Sequence, residues 1–181
     1  MEKNVEELGT IKQIDEMGRV ALPRELRKLL NLKEGAKIEL GVEDGDKLVI
    51  KKYSPMNTLN EWANYIISSI SSVVEHDIVL TDVDKELSSS KKKYLNKTLT
   101  MVAQEVIYKR EIVIKKQQDE SNMLDVFNDL EEDFCCELIV PIIKDNDVLG
   151  SIMVLAVENK CFDNDTAKVC KAFSNFLSLV I

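Results

Sequence analysis

The first fifty residues divide into short runs and tight turns that cannot enclose a hydrophobic core by themselves. Between residues 10 and 53 the sequence predicts the order β-β-α-β-β. Strands are expected at residues 10–14, 19–22, 36–42 and 47–53, and a short helix at residues 24–30. About 45 residues in four short strands bury too little apolar surface to be comfortably stable, and neither a disulfide nor a metal compensates. We therefore expect this segment to complete its core with a second copy of itself, as a homodimer.

The chain changes character after residue 53. Residues 1–52 carry 11 basic and 11 acidic side chains, so the whole net charge of −8 comes from the remainder. Ser54 is a good N-cap and Pro55 suits the first helical position, so a helix is expected to begin here. Its apolar residues recur at spacings of three and four, as in a heptad seam: Met56, Leu59, Ala63, Ile66, Ile70 and Val73. This short seam predicts either pairing between subunits, which would join dimers into a homotetramer, or packing on its own domain.

The rest of the chain alternates helices and strands again. Strands are expected at residues 78–81, 111–115, 134–140 and 148–157, with helices at residues 94–108 and from residue 164 onward. Pro141 is expected to end the third of these strands. The order predicts an α+β domain, with an antiparallel sheet and helices on one face. Exposed positions are expected for His76 and for Lys91, Lys92 and Lys93.

Composition narrows the classes of function. The four Cys and single His show no zinc spacing or disulfide framework, so we expect reduced, packed thiols, no metal and no cofactor. Adjacent residues of a strand face opposite sides of a sheet, so Cys135 and Cys136 are not expected to share a metal ion easily. The common enzyme motifs are absent, which favours a binding protein. No apolar run is long enough to span a bilayer, and we expect a cytosolic protein without a membrane partner.

One motif in the first segment resembles a known family. The string D-E-x-G-R-V-x-x-P-x-E-L-R, residues 15–27, resembles the swapped-hairpin DNA-binding domain of the AbrB transition-state regulators, and the similarity continues over about 45 residues. Residues 89–97 and 141–150 extend the resemblance to the stage V sporulation protein T family, which adds a GAF domain. The resemblance implies an AbrB-type swapped-hairpin β-barrel at residues 1–53 that dimerises and binds DNA. A linking helix would follow at residues 54–76, and a GAF-like sensory domain at residues 77–181.

The resemblance also implies which residues contact double-stranded DNA. The matching positions are Lys12, Arg19, Arg27 and Lys28, with Arg24 as an extra basic neighbour. Residues 8–33 hold six basic and three acidic side chains, and a dimer would double this excess. Arginine can bind guanine edges or phosphates through two hydrogen bonds, so Arg19 and Arg27 are expected to matter most. Without the resemblance, the basic residues of the short helix would be interpreted as a solvated surface screened by Glu25.

The sequence departs from the AbrB family pattern in two places. Lys12 and Lys28 stand where the family often has Arg, and the N-terminus is acidic at Glu2, Glu6 and Glu7.

We expect a homo-oligomeric transcription regulator of the sporulation type, not an enzyme, whose GAF-like domain receives an unidentified small-molecule signal or fixes the quaternary structure. One rival is a ligand-binding sensor in which the first domain only oligomerises. The other is an antitoxin, although antitoxins usually continue as an extended tail.

Overall fold

The computed structural model describes residues 10–32, 34–117, 123–157 and 161–181. It divides into two compact units, residues 1–53 and residues 54–181. The division falls between Tyr53 and Ser54, and the helical segment after Pro55 belongs to the second unit.

The first unit contains one helix and one hairpin in its described residues. Helix α1 (Arg24–Leu29) begins directly after Pro23, whose fixed φ suits the start of a helix. Strands β1 (Ile38–Glu43) and β2 (Lys47–Lys52) pair in antiparallel register. Their turn uses positive φ at Asp44 and Gly45, which are the residue types that tolerate it in tight hairpins.

The two strands predicted at residues 10–14 and 19–22 do not form a ladder within the described part of this unit. The turn between them does form, because the Asp15 N–H donates a hydrogen bond to the Arg19 carbonyl oxygen and Gly18 adopts a φ of 75°. A strand requires a partner for its N–H and C=O groups, and the protomer's own hairpin, β1 and β2, is paired with itself.

The second unit is built on a five-stranded antiparallel sheet in the order β4-β3-β7-β6-β5. The strands are β3 (Asp77–Asp82), β4 (Glu86–Ser89), β5 (Val113–Lys116), β6 (Cys136–Lys144) and β7 (Asp147–Ala156). Strand β6 continues through Pro141, contrary to the prediction that this proline ends it. Pairing with β5 stops at Ile139, so the missing N–H of Pro141 costs no hydrogen bond on that side.

One glycine fixes how closely two central strands approach. A Cβ placed on Gly150 of β7 would lie 2.0 Å from the Thr81 carbonyl oxygen and 2.9 Å from Asp82 Cα, both on β3. These are backbone atoms, which cannot move aside as a flexible side chain can. Position 150 therefore requires glycine for close packing.

Within the described residues, three helices cover the sheet, and they lie on both of its faces. Helices α2 (Asn60–Ser71) and α4 (Asn164–Val180) pack on one face, and α3 (Met101–Tyr108) packs on the other. The prediction of helices on one face is therefore wrong. Apolar side chains alternate along each strand toward both sides of the sheet, and each side needs its own cover. Helix α3 is also shorter than predicted, because Thr100 caps its start by accepting a hydrogen bond from the Ala103 N–H.

The seam predicted after Pro55 is buried by its own unit. Met56, Leu59, Ala63, Ile66 and Ile70 all belong to the core beneath α2 and α4. Val73, the last seam residue, is exposed. The opposite side of α2 presents Trp62 and Tyr65 to solvent, with their ring centroids 6.2 Å apart. Any contact of this helix with another subunit would therefore involve its exposed side, which carries Trp62 and Tyr65.

No helix among the described residues combines the length and the apolar character needed to cross a bilayer.

Candidate nucleic-acid interface

The turn before α1 holds Arg19 in place. The Asp15 carboxylate accepts hydrogen bonds from the backbone N–H groups of Met17 at 3.0 Å and Arg19 at 2.8 Å. Its second oxygen lies 3.1 Å from Arg19 Nε. The Arg19 side chain nevertheless remains 73% exposed. Asp15 therefore holds Arg19 by its backbone N–H and its Nε, while most of the Arg19 side chain stays accessible to solvent.

Helix α1 gathers three of the predicted residues. Arg24, Arg27 and Lys28 are exposed and line one shallow depression together with Asn31 and Leu32. Leu32 is buried, and its N–H donates to the Arg27 carbonyl at 2.7 Å, which closes the end of the helix. The helix is thus anchored by one apolar residue and turns its cationic side chains to solvent.

The other predicted residues lie outside this depression. Lys12 and Arg19 are exposed, but neither lines the depression of α1. The acidic residues Glu2, Glu6 and Glu7 fall outside the described residues, as does Lys33. Five exposed residues form what we call the basic surface of the first unit: Lys12, Arg19, Arg24, Arg27 and Lys28.

Many apolar residues of the first unit are exposed to solvent. Leu32 is the only buried residue between positions 10 and 53 among those described. Ile11 is 96% exposed, and Leu40 and Val42 on β1 are 59% and 73% exposed. Further exposed members are Ile14, Met17, Val20, Leu29, Ile38 and Leu48. So much exposed apolar surface on one small unit marks an interaction surface.

Two family models together match nearly the whole of the chain. Residues 58–179 match the model described as stage V sporulation protein T C-terminal, transcription factor. The chain belongs to the stage V sporulation protein T family. Residues 11–57 match the model described as antidote-toxin recognition MazE, bacterial antitoxin.

Individual relatives agree with this membership of the stage V sporulation protein T family. The chain is 27% identical to stage V sporulation protein T of Bacillus subtilis over 151 residues, which cover 82% of this chain and 83% of that protein. It is 42% identical over 50 residues to the transition state regulatory protein AbrB of Bacillus subtilis, covering 28% of this chain and about half, 51%, of that protein. The resemblance inferred from residues 15–27 and 141–150 is confirmed.

The second unit has the GAF fold. It is similar to the GAF domain of an Acinetobacter phosphoenolpyruvate-protein phosphotransferase, with a TM-score of 0.57 and 15% identity over 67% of this chain and 81% of that one. This family member therefore combines an AbrB-type first unit with a GAF-like α+β second unit, as predicted.

Sequence reasoning missed an ionic cluster at one end of this sheet. Lys93 Nζ lies 2.8 Å from an Asp77 carboxylate oxygen and 2.7 Å from one of Glu132, and the Tyr94 hydroxyl donates to Asp77. Burial alone would lower the pKa of Lys93, but the two carboxylates outweigh it and raise that pKa. Burial, with Asp77 beside it, raises the pKa of Tyr94 far above its ordinary value. Lys93 is therefore not the solvated lysine that its neighbours Lys91 and Lys92 are.

A buried carboxyl group is the second feature that was missed. Glu137 on β6 is 1% exposed; its Oε2 accepts the Leu124 N–H at 2.8 Å, whereas Oε1 has no hydrogen-bond partner among the described residues. Burial raises the pKa of Glu137 to about 7, against the opposing effects of the Leu124 N–H and of Lys115. A lone glutamate inside an apolar strand, between Cys136 and Leu138, was the available sequence signal.

The cysteines also depart from prediction. The structure pairs Cys136 and Cys161 in a disulfide, whereas Cys135 and Cys170 are thiols. The sulfur atoms of Cys135, Cys136 and Cys161 all lie within 4.8 Å of one another, close enough in principle for one soft metal ion. Strand alternation does not separate Cys135 from Cys136, because β6 begins only at Cys136.

Proposed function

We propose that this protein binds double-stranded DNA as a homodimer, through the basic surface of the first unit. Three observations support the proposal: membership of a family described as transcription factors, the similarity to AbrB, and the exposure of all five basic residues to solvent. Arg19 and Arg27 would make the main contacts, because guanidinium groups can bind phosphates or guanine edges through two hydrogen bonds.

The exposed apolar residues of the first unit carry the dimer proposal. The described residues of the first unit bury only Leu32, and neither its six-residue helix nor its hairpin contains a buried residue, so this unit lacks a core of its own. A second copy would supply partners for the unpaired segments 10–14 and 19–22 and would cover residues such as Leu40 and Val42. Dimerisation would also place two basic surfaces on one particle, which strengthens attraction to the DNA polyanion.

The second unit is proposed to set the assembly or to receive a signal. The outer side of α2, with Trp62 and Tyr65, and the exposed Phe176 and Leu179 of α4 are apolar surfaces that could join two dimers into a homotetramer. A small-molecule ligand of the GAF-like domain, of unidentified chemistry, would act by shifting the population between two arrangements of the assembly.

The experiment compares binding to a pool of promoter fragments. The double variant Arg19→Ala, Arg27→Ala is matched with Lys109→Ala, Lys171→Ala, which removes the same charge from exposed positions of the second unit. We expect the native protein and the lysine variant to select the same fragments, and the arginine variant to lose that selection at an unchanged oligomeric state. Equal selection by all three proteins would contradict the proposed interface.

The antitoxin alternative rests on the family model that matches residues 11–57. The segment after it is a folded five-stranded domain, not the extended tail expected of an antitoxin. The sensor alternative, in which the first unit only oligomerises, predicts weak and unselective DNA binding in the same experiment.

A further inference from the structure

The disulfide joins two elements of the second unit that are distant in sequence. Cys136 is the first residue of β6 and is fully buried, whereas Cys161 lies just before α4 and is half-buried. Their Cα atoms are 5.6 Å apart across a separation of 25 residues, a spacing at which a disulfide forms without moving the backbone. The fold alone therefore brings the two sulfurs together, whether or not they are oxidised.

The surroundings of the pair favour reversible chemistry. Transcription factors work in the compartment of the chromosome, where thiols are kept reduced and disulfides form mainly as redox signals. The Cys161 sulfur also lies 3.9 Å from the Cys135 carbonyl oxygen, which can accept its S–H when the residue is reduced. Cys161 is partly exposed, so a small oxidant can reach its sulfur, whereas Cys136 is buried in the core.

We propose that Cys161 and Cys136 form a hydroperoxide-responsive dithiol switch, with Cys161 attacked first and Cys136 resolving. The Cys161 thiolate attacks the hydroperoxide, the O–O bond breaks, and a sulfenic acid and one alcohol or water molecule form. The Cys136 thiolate then attacks the Cys161 sulfur, the S–O bond breaks, and water leaves with the proton of Cys136. In sum, two thiols lose two electrons and two protons to the hydroperoxide, and a dithiol reductant reverses the change.

The disulfide between Cys136 and Cys161 affects how firmly the start of α4 is held against the sheet. Phe162, next to Cys161, is buried in the core and makes an edge contact with His76, with ring centroids 6.0 Å apart. Asp163 caps α4 by accepting the Thr166 N–H at 2.9 Å. Cys161 lies two residues before the Asp163 cap. A covalent bond from Cys161 to Cys136 therefore fixes the start of α4 to β6, so oxidation suppresses local opening of the helix start.

The test uses the full-length protein, first reduced and then treated with hydrogen peroxide. Wild type should fall from four titratable thiols to two, and digestion should yield a peptide that links Cys136 to Cys161. Dithiothreitol should restore all four thiols. Amide exchange at the start of α4 should slow roughly tenfold or more on oxidation.

Two variants make the test specific. Cys161→Ser should abolish both the linked peptide and the change in amide exchange, whereas Cys170→Ser, which also removes a thiol from this core, should keep both. The oxidised and reduced wild-type proteins provide the same comparison without a substitution, should a variant fold poorly. Four thiols that survive peroxide, a link between Cys135 and Cys161, or tight zinc binding that protects the three clustered thiols from peroxide would each overturn the proposal.

Discussion

Replacing Glu137 with glutamine should change how the stability of the second unit depends on pH. Glutamine is nearly the same shape, and its side-chain carbonyl oxygen can still accept the Leu124 N–H. It cannot ionise, however, whereas the buried Glu137 carboxyl must do so at high pH without a partner for Oε1 among the described residues. The substitution therefore isolates the cost of a buried charge from the loss of packing.

The size of the effect follows from the pKa. Burial raises the pKa of Glu137 from 4.5 to about 7, so the native protein holds this proton more tightly than the unfolded chain does. Unfolding then releases a proton between about pH 4.5 and pH 7, and the free energy of unfolding falls as pH rises through this window. At about 1.4 kcal/mol per pH unit, the full loss is on the order of 3 kcal/mol, complete above pH 7.

The assay is urea unfolding followed by tryptophan fluorescence, at pH values from 4.5 to 8. Trp62 is the single tryptophan and lies in the second unit, so the signal reports this unit. The difference in stability between Glu137→Gln and wild type should shift in favour of the variant by about 3 kcal/mol across the window. A Glu105→Gln control, at an exposed position on α3, should run parallel to wild type. A constant difference between Glu137→Gln and wild type at all pH values would refute the reasoning.

Three further predictions concern other parts of the fold. Gly150→Ala should cost the second unit about 3 kcal/mol in urea unfolding, because its Cβ collides with the backbone of β3. Val42→Asp should convert dimers to monomers in sedimentation experiments while the fluorescence of Trp62 stays unchanged, since it charges an apolar residue of the first unit only. Asp15→Asn should tighten binding to non-specific DNA by removing a negative charge, yet weaken fragment selection because Arg19 loses its ionic partner; a parallel change in both affinities would contradict this.

Local signals predicted much of the architecture. The turn at residues 15–18 could be read from its glycine, and the boundary after Tyr53 from Ser54 and Pro55. The seam after Pro55 predicted a buried helix face, but periodicity records only that a face is apolar and not what covers it. The structure shows that the sheet of the same unit covers it.

Other features depended on contacts between distant residues. The position of α3 on the far face, the ion pairs of Lys93 with Asp77 and Glu132, and the meeting of Cys136 with Cys161 all arise when separate elements pack together. Spacing along the chain carries no such information. The basic surface is an intermediate case. The motif resemblance named four of its residues and Arg24 was added as their basic neighbour, whereas charge alone could not distinguish Arg27 from a solvated helix residue.

The salt dependence of DNA binding tests the central claim most directly. Each phosphate neutralised by a cationic side chain makes the slope of log K against log salt concentration about 0.9 more negative, and a dimer presents each basic residue twice. We predict that Arg19→Gln, Arg27→Gln reduces the steepness of this slope by at least about 2 for a selected promoter fragment, at matched oligomeric state. An unchanged slope, with binding as tight as that of the native protein, would contradict a DNA interface on the first unit.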